Sequence, residues 1–105
     1  MSNNFSINKE FLLKTAKDIL EFNSPTGFCF EIMDKIEEIV KSFGYKFERN
    51  NKGCGIITVE GKNNEKIVGL CAHVDTLGAM VRSITANGTL KFTILKDKVI
   101  QSKTA

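Results

Sequence analysis

Several things are scarce in this 105-residue sequence, and each scarcity excludes something. No apolar run approaches the roughly 18–20 residues that a membrane-spanning helix needs. The start, Met1-Ser2-Asn3-Asn4, lacks the basic and then apolar regions of a secretory leader, so a cytoplasmic protein without membrane association is expected. Cysteines number three (Cys29, Cys54, Cys71), an odd count without C-x-x-C spacing. That argues against a disulfide framework or a zinc knuckle and for buried free thiols. The excess of positive charge is only +3, too little to imply nucleic acid or an anionic membrane. The late lysines Lys91, Lys96, Lys98 and Lys103 are scattered and lack the stacking aromatics of a single-strand binder. No internal repeat or low-complexity linker interrupts the chain.

What is present divides into a helical half and a strand half. Leu12, Ala16, Ile19 and Leu20 recur at helical spacing within Lys9 to Phe22. Asn8 is the expected N-cap, with Ile7 and Leu12 placed for a hydrophobic staple and Glu10 at the positive end of the helix dipole. Asn23-Ser24-Pro25-Thr26-Gly27 ends that helix, because Pro25 disfavours helical geometry at Ser24. A second helix is predicted from Phe28 to Phe43, with an apolar stripe of Cys29, Ile32, Met33, Ile36, Ile39, Val40 and Phe43 and with Gly44 as its C-terminal cap. The period then changes to that of strands. Tyr45 and Phe47 alternate with charges, and Ile56 to Val59 is β-prone. Lys62-Asn63-Asn64-Glu65 reads as a turn. Ile67 to Ala72 reads as a strand buried on both faces. Met80–Thr85 and Thr89–Leu95 read as a hairpin turning at Asn87-Gly88, with Leu90, Phe92 and Ile94 on one face. The fold class is therefore α/β, or α+β over these residues, with two helices followed by about five strands. Lys96 to Ala105 shows no capping element, and the architecture reads as unfinished there.

The single histidine, His73, follows the predicted buried strand, and Asp75 comes two residues later. Residues i and i+2 of an extended segment point the same way, so Asp75 can accept a hydrogen bond from one ring nitrogen of His73. The other nitrogen is then left for a metal. H-x-D alone also suits a hydrogen-bonded structural histidine, and Cys71 on the same predicted face is a conceivable second ligand. Other groupings read as ordinary. Glu31, Asp34 and Glu38 form a solvated helix face, and the adjacent Glu37 and Glu38 diverge too far for a glycosidase pair. Gly53-x-Gly55 lacks a following helix and so is not a phosphate loop. A Ser24 or Ser83 triad with His73 is a minor alternative.

The run Ala72-His73-Val74-Asp75-Thr76-Leu77-Gly78-Ala79-Met80-Val81 resembles the first metal-ligand segment of the tetrahedral and glutamyl (deblocking) aminopeptidase family. Asn23 to Gly27 resembles that family's turn between its first two helices, Lys52 to Ile57 its strand entry, and Asn87 to Phe92 the hairpin entering its inserted β-rich domain. The resemblance implies a cytosolic exopeptidase acting on peptides, with two divalent metal ions (zinc or cobalt), assembling as a homo-oligomer. It implies His73 as a metal ligand and Asp75 as the catalytic-site carboxylate that orients it. It also implies a division of the chain. Residues 1–78 would begin the catalytic α/β domain, and residues 79–105 would begin the inserted assembly domain. The family often has Asn where this chain has Cys54, and its remaining ligands and general base lie beyond the residues of this sequence. The expectation is thus an amino-terminal piece of a metalloaminopeptidase, inactive by itself. Two rivals remain. One is a non-catalytic binding or assembly module. The other is a related carboxypeptidase or dipeptidase, in which proline often follows the Asp; here Thr76-Leu77-Gly78 follows instead.

Overall fold

The computed structural model describes residues 5–95; the expectations on Lys96 to Ala105 lie outside the described residues. Helix α1 spans Lys9–Leu20. Asn8 caps it as expected, its side chain accepting the Phe11 N–H at 3.1 Å. The helix is two residues shorter than its apolar spacing suggested and buries no residue fully. It meets the second helix, α2 (Phe30–Ser42), partly through an edge-to-face contact of Phe11 with Phe43 at 5.4 Å.

Helix α2 starts later than Phe28 because a turn intervenes. The Phe28 N–H donates to Pro25 O at 2.8 Å, and Gly27 at the third position adopts φ +88°. A four-residue turn with positive φ there requires glycine or asparagine. The far end of α2 closes as a Schellman motif. Gly44 takes φ +78°, its N–H reaches Lys41 O, and the Tyr45 N–H reaches Val40 O. The predicted stripe supplies the core, with Ile32, Met33 and Val40 buried.

Among the described residues four strands form two antiparallel hairpins, one strand fewer than expected: β1 (Lys46–Arg49) with β2 (Gly55–Thr58), and β3 (Ala79–Ile84) with β4 (Leu90–Ile94). Both hairpins turn through three residues, the third a left-handed glycine. In the first, Gly53 N–H donates to Asn50 O at 3.0 Å with Gly53 at φ +83°. In the second, Gly88 N–H donates to Thr85 O at 2.9 Å with Gly88 at φ +82°. The loop is thus one residue longer than a two-residue Asn-Gly turn. A bulge between Val81 and Ser83 alters the register, so that Ala79, Val81 and Ile84 lie opposite Ile94, Phe92 and Leu90. Residues directly opposite share a face, so the bulge assembles one apolar surface that strict alternation would have mixed with Arg82. The β1–β2 hairpin packs on α2, whereas β3–β4 touches no other helix or strand among the described residues. Asn63 supports the predicted turn, its side chain accepting the Glu65 N–H at 2.8 Å.

Two expectations are corrected. Ile67 to Ala72 is not a buried strand. It runs as irregular chain, with Ile67, Val68 and Leu70 92%, 86% and 95% exposed. A strand must pair its backbone N–H and C=O groups with neighbours. Here the four strands of the described residues pair two by two within their own hairpins, and none of them pairs with 67–72. The thiols are free, as expected, but only Cys29 is even half-buried; Cys54 and Cys71 are exposed. The same missing neighbours expose Cys71, and Cys54 sits at the end of the first hairpin loop.

Candidate functional site

The site forms where the turn after α1 meets the segment before β3. The Thr76 N–H donates to Ser24 O at 2.8 Å, and Pro25 and Thr76 form a parallel bridge. Ser24 is only 1% exposed, and its hydroxyl donates to Val74 O at 2.8 Å. Two hydrogen bonds from one residue therefore fix both chain neighbours of Asp75. Cys29 lines the same turn, its thiol 3.6 Å from Pro25 O and 3.7 Å from Ser24 O. Gly78 permits the approach, because a Cβ there would overlap the Cβ of Pro25 and lie 3.4 Å from its Cα.

On this platform the Asp75 carboxylate uses both oxygens. Oδ2 accepts the Thr26 hydroxyl at 2.7 Å, and Oδ1 lies 3.0 Å from His73 Nδ1. The Asp75 backbone oxygen is also 3.2 Å from that nitrogen. Both atoms facing Nδ1 are acceptors, so Nδ1 carries the proton and donates. In the neutral ring Nε2 then holds the free lone pair, which is the form that binds a metal. The Asp75 side chain is 21% exposed and that of His73 82%, so an anchored carboxylate holds a ring that projects into solvent.

The structure thus brings His73 and Asp75 together. It does not bring Cys71 into a ligand set with them: among the described residues no three His, Cys, Asp or Glu side chains are grouped to hold a metal ion. The Ser24 hydroxyl is committed to Val74 O and does not meet His73. Sequence reasoning treated Asn23 to Gly27 as a helix stop and missed Thr26. The resemblance of that stretch to a family turn was the signal that could have found it.

Residues 53–99 match the description M42 glutamyl aminopeptidase, a span that contains His73, Asp75 and Gly78. The chain is also 39% identical over 83 residues, 79% of its length, to the protein named "Putative aminopeptidase YhfE" of Bacillus subtilis (strain 168). The chain spans 24% of that relative's length. Within the matched stretch lie β2, the exposed Ile67–Ala72 run, the site loop and the β3–β4 hairpin. The turn that supplies Ser24, Pro25 and Thr26 lies before it. No helix of the described residues is long and apolar enough to cross a membrane.

Proposed function

We propose that this chain is the amino-terminal portion of a metal-dependent aminopeptidase that removes N-terminal residues from peptides. His73 would be a ligand to one of two divalent ions, zinc or cobalt, and Asp75 the carboxylate that orients it. The observation that carries this reading is the 3.0 Å contact of His73 Nδ1 with an anchored Asp75, which leaves Nε2 facing solvent. The M42 match over the same residues supports it. The site fits one share of a metal centre: one oriented imidazole, where a catalytic zinc ordinarily takes three protein ligands and a water. When bound, the ions supply Lewis-acid polarisation of the scissile carbonyl and activation of a water. The contribution of this chain is to keep the proton on His73 Nδ1, donated to Asp75, and so present Nε2. With one such ligand the 105-residue chain catalyses nothing alone. The complete enzyme is read as a cytoplasmic homo-oligomer, with residues 1–78 in its catalytic domain and 79 onward entering an assembly domain.

The test has two parts. The native polypeptide bearing this N-terminus, purified from its source cells, should have a mass several times 11.7 kDa. In that protein His73→Ala should abolish aminopeptidase activity and reduce its metal content. Unchanged metal and activity would refute the assignment, and a native mass near 11.7 kDa would favour a binding module over an enzyme.

A further inference from the structure

We propose that Thr26 is a positioning residue for the His73–Asp75 pair. Its hydroxyl holds one carboxylate oxygen of Asp75 so that the other addresses the imidazole. The proposal rests on the reading of Asp75 as the group that orients His73. The terminal torsion of an aspartate is a broad, roughly two-fold rotor, and a hydrogen bond to each carboxylate oxygen narrows it. Thr26 Oγ1 at 2.7 Å from Oδ2 supplies the second point, and Oδ1 then meets Nδ1 at 3.0 Å.

Thr26 suits this task because its own position is determined. It occupies the second place of the turn closed by Phe28 N–H to Pro25 O at 2.8 Å. Two residues earlier, Ser24 binds both Val74 and Thr76, the residues flanking Asp75. Hydroxyl and carboxylate are therefore attached to the same small frame. Donor and acceptor stay in register although 49 residues of chain separate them. The Thr26 hydroxyl would thereby help to hold the ring tautomer with Nε2 free, beside the Asp75 backbone oxygen that also faces Nδ1.

The single histidine makes this measurable in the 105-residue chain without any metal. Long-range proton–nitrogen NMR of the 15N-labelled chain reads both ring nitrogens of His73 directly. The spectrum would be taken at roughly pH 8.5, about two units above the ordinary histidine value. The wild type should show Nδ1 protonated and Nε2 bare. Thr26→Ser keeps the donor and should retain that signature. Thr26→Val keeps the shape without the donor and should lose it, its ring nitrogens moving toward those of a free histidine. The proposal is overturned if the Val and wild-type ring spectra coincide while Asp75→Ala differs. It is equally overturned if Ser and Val shift alike, which would make the contact one of packing. It also fails if Thr26→Val loses the dispersed amide signals of the hairpins, because the hydroxyl would then be holding the fold. A ring spectrum unchanged in Asp75→Ala would instead refute the pairing of His73 with the Asp75 carboxylate and leave the Asp75 backbone oxygen as the acceptor.

Discussion

Replacing Gly78 by alanine tests whether the close approach of two chain segments builds the site. An ideal Cβ at this position overlaps Pro25 Cβ and sits 3.4 Å from Pro25 Cα and 3.5 Å from Cγ. Against an optimum of about 3.5–4.0 Å, the overlap with Cβ is on the order of 1 Å. Pro25 cannot rotate away, because its ring is closed on the backbone. The segments must separate, and overpacking of this kind costs about 1–3 kcal/mol. That free energy should fall on the local docking, since Thr76 N–H to Ser24 O is the bond spanning the contact. The amide of Thr76 should therefore exchange with solvent about 5- to 150-fold faster in Gly78→Ala, which is the same energy expressed as a ratio. The Gly88 amide, bonded to Thr85 O in the distal hairpin turn, serves as the internal control and should keep its rate. Unchanged exchange at Thr76 would refute the steric reasoning. Equal acceleration at Thr76 and Gly88 would show that the whole structure, not the docking, was lost. Gly55→Ala offers a contrast. A Cβ there meets Met33 Cε at 2.7 Å and Phe47 Cζ at 2.5 Å, both tips of side chains, so relief needs only rotamer changes.

Three further outcomes are expected. Ser24→Ala should accelerate exchange at Thr76 by roughly 2- to 10-fold, corresponding to about 0.5–1.5 kcal/mol for the lost hydroxyl bond to Val74 O; no effect would show that the backbone bond alone holds the turn. The Lys41 ammonium at 2.6 Å, and then Arg49 at 2.7 Å, hold the Glu37 carboxyl below its ordinary value of 4.5. A depressed folded value means that this group's stabilisation is present above pH 4.5 and is lost as pH falls through the lower folded value. Circular dichroism of α2 during acid titration should therefore decline in the wild type, and Glu37→Gln should remove that component; identical acid profiles would refute it. Val68→Lys with Leu70→Lys should diminish concentration-dependent association in sedimentation velocity, because those side chains are 86% and 95% exposed in an apolar, unpaired run. A wild-type chain that stays monomeric at high concentration would count against the idea.

What the sequence made legible follows the range of the interaction. Asn8 and Gly44 cap their helices through bonds within a few residues, and Gly88 fixes the second hairpin turn in the same way. The alternating face of Leu90, Phe92 and Ile94 is likewise local, although the bulge that completes it from Val81 and Ala79 gives no signal in composition. Ile67 to Ala72 marks the limit of such reasoning. Its apolar run reads as a demand for burial, but burial needs partners, and the run stays exposed and outside both hairpins.

The candidate site divides along the same line. His73 and Asp75 are two residues apart, so their pairing needs only an extended backbone and could be read from H-x-D. Thr26 is 49 residues from Asp75, and nothing in T-G or S-P-T-G distinguishes a donor to a remote carboxylate from a helix stop. The decisive information lies in Ser24, whose one side chain and one carbonyl tie down both neighbours of Asp75. Serine suits that place because it is small enough to be buried and brings a donor to the Val74 carbonyl. The turn therefore has two functions that composition alone merges: it ends α1, and it frames the carboxylate. Substitution can separate them. Pro25 and Gly27 act through backbone geometry, whereas Ser24 and Thr26 act through hydroxyls, so removing a hydroxyl should disturb the His73 environment while leaving α1 intact.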